Sequence, residues 1–148
     1  MKRTSKNLFT DKEQMKTIDT KRIVYFVVFL LSFLFTEFGR YVYRPFIYHN
    51  NINDFGIADS IGNWGGIVVQ IFFGLAIINS SFKQGFSVIA VATGGYILYE
   101  FAQPYLPKGT FDWLDVYGTL AGGIIALALF FLIHKSIKHN KIIFSLKT

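Results

Sequence analysis

One short motif with an acidic side chain occurs twice, and its residue types and spacing suggest a polar site. Glu37 is followed by Arg40, and Glu100 is followed by Gln103, so each acid has a polar residue three positions later. Residues at i and i+3 lie on the same face of a helix. A charged side chain in a membrane helix costs about 2.5–3.5 kcal/mol near the bilayer centre and is rarely lipid-facing. If these segments span a membrane, the two acids therefore predict a polar site.

A second motif also occurs twice and extends the candidate site. It consists of an Asp, then Asn or Thr four residues later and Gly seven residues later, and its copies are Asp59-Asn63-Gly66 and Asp115-Thr119-Gly122. This spacing places the three residues on one helix face. Each copy overlaps a Gly-x-x-x-Gly stripe, which lets membrane helices approach closely.

The composition and the distribution of charge predict the elements that position these motifs. Hydrophobic residues make up 52% of the 148 residues and charged residues only 16%, well below the roughly 25% of soluble domains. A membrane span needs about 20 mostly apolar residues. We predict one all-α membrane domain, residues 1–148, with four transmembrane helices at 22–43, 57–82, 84–103 and 113–135.

The basic residues predict an orientation for these helices. Twelve of the fifteen Lys and Arg residues lie in residues 1–22, in residues 135–148, or at Lys83 between the second and third helices. Short segments rich in Lys and Arg stay cytoplasmic. Both termini are therefore predicted to be cytoplasmic, and the net charge of +6 is attributed to orientation and lipid attraction. No nucleic-acid partner is expected.

The duplicated motifs divide the membrane domain into two repeats. Repeat one is predicted at residues 22–82 and repeat two at 84–135, between basic tails at 1–21 and 136–148. Because the first and third helices run in the same direction, the repeats are parallel, with a pseudo-two-fold axis along the membrane normal. Parallel repeats of this kind build the substrate sites of some transporters.

The repeats also predict how the polar residues meet. Glu37 lies 15 residues beyond Arg22 and Glu100 lies 17 beyond Lys83, so the two acids reach a similar depth below the outer interface. If each odd helix packs on the following even helix through its glycine stripe, the acids join the second motif. The expected pairings are Glu37/Arg40 with Asp59/Asn63, and Glu100/Gln103 with Asp115/Thr119.

The second half resembles the VanZ-like family of small bacterial membrane proteins. The resemblance lies in Glu100-x-x-Gln103, Pro107-Lys108 and Asp115-x-x-x-Thr119-x-x-Gly122, within roughly residues 90–125. Lys108 stands where the family usually has Arg, and Thr119 stands where it usually has Asn. The resemblance implies a multi-pass protein of the bacterial cytoplasmic (inner) membrane, in a family named for accessory resistance to the glycopeptide teicoplanin.

The residues do not predict an enzyme, a metal site or a cofactor. The motifs Gly-x-Ser-x-Gly and His-Glu-x-x-His mark common hydrolases. Neither motif occurs in this sequence. His49 is expected in an outer loop, whereas His134 and His139 are expected on the cytoplasmic side, so they cannot share a metal ion.

The leading prediction is a non-enzymatic protein that binds a polar or charged group in an outer-leaflet cluster. Candidate groups are a lipid headgroup, a cell-wall precursor and an amphiphilic antibiotic. Carboxylates would hold cationic or hydroxyl groups, and basic residues would hold phosphate or carboxylate. The predicted ligand-binding residues are Glu37, Arg40, Arg44, Asp59, Asn63, Glu100, Gln103, Lys108, Asp115 and Thr119.

Two alternatives remain open at this point. The first is a small secondary transporter of a cation, a proton-coupled solute or an organic anion, in which the buried carboxylates carry the coupling charge. The second is a structural subunit in which the polar cluster only locks helices together. Membrane lipids are expected partners in every case, and the sequence leaves a homo-oligomer open.

Overall fold

The chain folds into helices. The computed structural model describes residues 5–78 and 81–145, with side chains described for 20–78 and 81–137. The helices are α1 (Ser5–Phe38), α2 (Arg44–His49), α3 (Ile57–Ile78), α4 (Phe82–Ala102) and α5 (Trp113–Ser145). A π-helical turn, Gly39–Tyr43, joins α1 to α2, and a 3-10 turn, Gln103–Tyr105, follows α4. No strand occurs within the described ranges, and the all-α prediction is confirmed.

Four of the helical segments are long and apolar enough to cross a membrane. They are Thr20–His49, Ile57–Ile78, Phe82–Tyr105 and Trp113–Ile137. The prediction of four membrane spans is thus confirmed by length and composition. Many large apolar side chains on these spans face outward, including Leu34 and Val91, which are 63% and 74% exposed. Acyl chains of a bilayer would cover such surface, whereas water would not favour it.

The predicted ends of the spans need correction at the turn between α3 and α4. Phe82 does not end the second span but begins α4, so the predicted boundaries at 82 and 84 are wrong. Ser81 is the N-cap: its hydroxyl accepts from the Gln84 N–H, and the Gln84 side chain accepts from the Ser81 N–H at 2.9 Å. This reciprocal capping box starts a helix immediately after Ser81. Residues 79 and 80 lie outside the described residues.

The terminal segments are also more helical than the predicted tails. Helix α1 begins at Ser5 and α5 continues to Ser145, beyond the membrane spans, whose predicted ends at 22 and 135 lie within two residues of the ends at Thr20 and Ile137. No Gly or Pro occurs between Ser5 and Phe38, or in α5 after Gly123, so nothing in these stretches breaks a helix. The extreme ends of the tails, 1–4 and 146–148, lie outside the described residues.

The first span continues beyond its predicted end at residue 43. The Arg44 N–H bonds the Gly39 carbonyl, five residues earlier, in the π-helical turn. Pro45 lies in the first turn of α2 and has no N–H to donate. The wider turn passes this position without breaking the helix, and single π-turns are frequent at functional sites. As a consequence Arg44 lies on a helix rather than in a connector.

Helices α1 and α3 pack against each other in antiparallel directions. Gly39 lies against the Ile61 side chain, and Gly65 lies against Thr36. At the other end of the pair, Arg22 Nε donates to the Ala76 carbonyl oxygen at 3.0 Å. The Arg22 guanidinium therefore satisfies a carbonyl in the last turn of α3, where helix carbonyls lack intrahelical partners.

Helices α3 and α5 lie side by side in the same direction and form the centre of the bundle. Gly118 lies against Ser60 and Asn63, and Gly122 lies against the Trp64 backbone. Helix α1 contacts α3, α3 contacts α5, and α4 contacts both α5 and α3. The largest buried side chains of the core come from three helices: Tyr25, Phe72 and Phe130.

The predicted use of the glycine stripes is wrong in both halves. A Cβ at Gly62 or Gly66 would meet no atom within 4 Å, so this stripe does not receive α1. Gly65 receives α1 instead, because the Thr36 side chain occupies the space beside it. In the second half, Gly118 and Gly122 pack on α3 rather than on α4, which approaches α5 where Thr93 meets Gly123.

Candidate polar binding cleft

A polar cleft opens at one end of the bundle, where the π-helical turn leads into α2 and where α3 and α5 begin. We call this the connector end, because residues 50–56 and 106–112 join the helices there. The cleft has a volume of about 530 Å³, within the range of roughly 300–1,000 Å³ that holds small molecules. The residues that line this connector-end cleft are Arg40, Arg44, Asp59, Gly62, Asn63, Asp112, Leu114 and Asp115.

Arg44 is held in the cleft wall by two neighbours. Its Nη2 lies 3.3 Å from Asp59 Oδ1, and its Nε donates to the Tyr48 hydroxyl oxygen at 3.2 Å. The Tyr48 hydroxyl in turn donates to Asp59 Oδ1, and the Arg44 guanidinium lies 5.4 Å from the centre of the Tyr48 ring. Arg44 and Asp59 are nevertheless 44% and 43% exposed, so both can contact a ligand.

Arg40 lies one turn earlier and pairs with an acid of its own helix. Arg40 Nη1 donates to Glu37 Oε1 at 3.3 Å, so the predicted i, i+3 pair forms. The Arg40 side chain is 54% exposed and Glu37 is 29% exposed. Arg40 lines the cleft, but Glu37 does not. Glu37 therefore holds Arg40 without lining the cleft itself, which differs from the predicted role of Glu37 as a ligand-binding residue.

The opposite wall is acidic and comes from the start of α5. The Asn63 side-chain amide on α3 donates to Asp115 Oδ1 and joins the two helices. Asp112 Oδ1 accepts from the Leu114 N–H at 2.9 Å, so Asp112 caps α5 in the manner of an N-cap aspartate. Asn63 was predicted to join residues of its own half, whereas the structure joins it to the second half.

Glu100 is buried on α4 and does not line the cleft. Only 3% of its surface is exposed, and Gln103 Nε2 donates to Glu100 Oε2 at 2.5 Å, as the spacing predicts. Asp115 and Asp112 lie close enough to act on the Glu100 carboxylate electrostatically. Glu37, by contrast, is hydrogen-bonded and ion-paired with Arg40 and is partly exposed. The two acids of the repeated motif thus occupy different environments.

The last two predicted site residues also lie away from the cleft. Thr119 is buried at 1% exposure in the packed part of α5. Lys108 lies in the connector after α4 with a φ of 65°. Of the ten predicted residues, five line the cleft, and they are Arg40, Arg44, Asp59, Asn63 and Asp115; the other five are Glu37, Glu100, Gln103, Lys108 and Thr119.

Two functional candidates were absent from the predicted set. Asp112 lines the cleft and Tyr48 holds Arg44. An Asp immediately before an apolar helix is a recognised N-cap signal, so Asp112 could have been placed at the start of α5 from the sequence. Tyr48 lies four residues after Arg44, but that spacing predicts a contact only once α2 is known to be helical.

Among the described side chains, the arginines of the cleft form ion pairs, whereas the aspartates of α5 and its N-cap do not. Arg40 pairs with Glu37, one turn earlier on the first span, and Arg44 pairs with Asp59 on α3. In the part of the chain with described side chains, Asp112 and Asp115 form no ion pair. The same part contains no group of three or more His, Asp or Glu residues placed to hold a metal ion. The cleft therefore presents to one space two paired arginines and two aspartates without an ion pair among the described side chains, although Arg44 is close enough to act on Asp115 electrostatically.

Taken together, four apolar spans and a charged cleft at one end define the chain as a multi-pass membrane protein. No family model, no curated protein and no solved structure matches this chain. The assignment of its activity therefore depends on the geometry of the cleft.

Proposed function

We propose that this protein binds the polar headgroup of an amphiphile in the connector-end cleft and catalyses no reaction on it. The candidate amphiphiles are a membrane lipid, a lipid-linked cell-wall precursor and an amphiphilic antibiotic. The observation that carries the proposal is the cleft itself, in which arginines and aspartates from three helical segments line one space of about 530 Å³.

The position of the cleft suits an amphiphile. It lies at the first residues of two membrane spans, Ile57–Ile78 and Trp113–Ile137, where the apolar part of each helix begins. A headgroup can enter the cleft while its acyl chains stay beside the helices. The arginine wall suits phosphate or carboxylate, because a guanidinium offers several N–H donors in a planar fork.

The orientation and the internal repeat belong to the same proposal. The basic residues near the ends of the chain favour cytoplasmic termini, and in this proposal the cleft faces the outer leaflet. Two parallel repeats are supported by the central α3 and α5, which run in the same direction, with α1 packed on α3 and α4 packed on α5 and also on α3. The resemblance to the VanZ-like family suggests that this membrane is a bacterial cytoplasmic membrane and suggests a link to glycopeptide resistance.

Thermal unfolding of the purified protein in detergent tests the proposal. The probes are short-chain phospholipids, a lipid-linked cell-wall precursor and teicoplanin. At least one probe should raise the Tm, and Arg44→Ala should abolish that rise. Lys108→Asn is the matched control, because it removes a basic residue at the same end but outside the cleft, and Asn tolerates the positive φ. The absence of any rise, or an equal rise in Arg44→Ala, would contradict the proposal.

A second candidate function is a small secondary transporter, and the burial of Glu100 favours it. A buried carboxylate in a membrane helix typically marks an ion or proton pathway. Glu100 lies next to the acidic wall through its electrostatic contact with Asp115. In this scheme the cleft is the entry site and Glu100 carries the coupling charge.

A further inference from the structure

We infer that the group bound in the connector-end cleft is a zwitterion of the phosphoethanolamine type. Its phosphate contacts Arg40 and Arg44, and its primary ammonium contacts Asp112 and Asp115. This inference rests on the proposed function and adds the chemical class of the ligand to it.

The separation of charge in the cleft is the first argument. The cations come from the end of the first span, and the unpaired anions come from the start of α5. Neither Arg40 nor Arg44 forms an ion pair with Asp112 or Asp115; Arg40 pairs with Glu37, and Arg44 pairs with Asp59 on α3. A ligand with one negative and one positive group can join the two walls.

The unused hydrogen-bonding groups are the second argument. Asp112 and Asp115 each use one carboxylate oxygen, for the Leu114 N–H and the Asn63 amide respectively. Among the described residues no donor reaches the second oxygen of either side chain. Asp112 is exposed, but Asp115 is part-buried, and a part-buried carboxylate is costly without a cationic partner. A primary ammonium offers three N–H donors and can bond both free oxygens.

The lining distinguishes a primary ammonium from a quaternary one. Quaternary ammonium groups of the choline type are recognised by the faces of aromatic rings. No aromatic residue is among the described side chains that line the cleft. Carboxylate oxygens need N–H donors, which a trimethylammonium group lacks. The cleft therefore favours ethanolamine over choline.

The balance of charge distinguishes a zwitterion from a simple anion. Three aspartates and two arginines line the cleft, so its net charge is negative. A headgroup that carries only phosphate gains from the arginines but is repelled by Asp112 and Asp115. A headgroup that also carries an ammonium converts this repulsion into attraction.

Binding of water-soluble short-chain phospholipids to the detergent-purified full chain tests the inference. The probes are dihexanoyl phosphatidylethanolamine, phosphatidylcholine and phosphatidylglycerol, measured by calorimetry. The ethanolamine lipid should bind about tenfold more tightly than the other two, because its ammonium contacts the part-buried Asp115 as well as Asp112. The double variant Asp112→Asn/Asp115→Asn should lose this preference, because Asn keeps the acceptor for Leu114 and for Asn63 but not the charge.

Controls separate this inference from the proposed function. Asp54→Asn removes an acid at the same end but outside the cleft and should keep the preference. Equal or tighter binding of phosphatidylglycerol or phosphatidylcholine would overturn the inference while leaving headgroup binding intact. Binding of none of the lipids would overturn both the inference and lipid-headgroup binding. Unchanged preference in the double variant, with normal Tm, would overturn the assignment of the ammonium to the aspartates.

Glycerophosphoethanolamine, which has no acyl chains, distinguishes the two sources of this chemistry. If it binds as tightly as the short-chain lipid, the inference is supported and the ligand is a soluble phosphoethanolamine compound. If it binds much more weakly than the short-chain lipid but more tightly than glycerophosphate, the inference is supported and the ligand is a lipid. If glycerophosphate binds as tightly as glycerophosphoethanolamine, the ammonium contributes nothing and the inference is overturned.

Discussion

The side-chain amide of Asn63 on α3 donates a hydrogen bond to the carboxylate of Asp115 on α5. This bond joins the two halves of the chain at the wall of the connector-end cleft. Asn63 and Asp115 both come from copies of the same sequence motif, at different positions of the motif. The second motif therefore does more than stabilise helix starts, because it connects the two central helices beside the space that we assign to the ligand.

Loss of this bond should destabilise the bundle. Asn63→Ala leaves the part-buried Asp115 without its partner, and we expect a loss of about 0.6–2 kcal/mol in the free energy of unfolding. Chemical unfolding in detergent micelles measures it. Asp115→Asn is the control, because its amide oxygen still accepts from Asn63. A larger loss in Asp115→Asn than in Asn63→Ala would show that the bond does not hold α3 to α5.

Two glycines of the repeated motif should respond differently to the same substitution. Gly122→Ala places a methyl group against the Trp64 backbone of α3, and we expect destabilisation of about 1–3 kcal/mol by overpacking. Gly66→Ala, at the equivalent position of the first copy, meets no atom within 4 Å and should be neutral or slightly stabilising. Similar Tm values for the two variants would argue against the close contact of α3 and α5.

Tyr48 is expected to act through Arg44 rather than by contact with the ligand. Tyr48→Phe removes the hydroxyl that accepts from Arg44 Nε and donates to Asp59, but keeps the ring beneath the guanidinium. We expect about a three- to tenfold weaker headgroup affinity, because Arg44 loses the hydrogen bond to one of the two neighbours that hold it, and both lost hydrogen bonds join charged but exposed partners. Calorimetry with a short-chain lipid measures the affinity. Tyr105→Phe, a tyrosine at the same end outside the cleft, should bind as the unmodified chain does.

The transporter alternative makes its own prediction about the two acids. If Glu100 carries a coupling charge, Glu100→Gln should abolish ion-driven flux in proteoliposomes. Glu37→Gln should reduce it only mildly, because Glu37 is partly exposed and acts through Arg40. Flux retained in Glu100→Gln would exclude a coupling role for this carboxylate. Absence of flux in the unmodified chain, together with headgroup binding, would contradict the transporter alternative and leave headgroup binding as the only function of the two.

The sequence predicts the spans well because apolar segments of membrane length are separated by charges. Their ends are less well predicted, for reasons that are local. The capping box at Ser81 and Gln84 starts α4 at Phe82, two residues before the predicted start at 84. The π-helical turn before Pro45 carries the first span through a position at which a proline usually ends a helix.

Half of the predicted site residues line the cleft, and the predictions for the other half differ from the structure for one shared reason. Periodicity places Glu100 and Thr119 on polar faces of their helices, but it does not say which neighbour each face meets. The helix order puts α3 beside α5, so Asn63 meets Asp115, whereas Glu100 and Thr119 are buried behind the cleft. Such relationships depend on packing between helices, which repeat symmetry alone did not determine.

Protection of a single introduced cysteine tests the occupancy of the cleft most directly. Gly62 lines the cleft, has no atom within 4 Å of its Cβ position, and lies in a chain with no cysteine of its own. Gly62→Cys should react with a charged thiosulfonate, and dihexanoyl phosphatidylethanolamine should slow that reaction. Tyr105→Cys, at an 89% exposed position of the same end, should react at the same rate with and without the lipid. Equal rates for the Gly62→Cys variant with and without saturating lipid, or equal slowing in both variants, would contradict headgroup binding in the cleft.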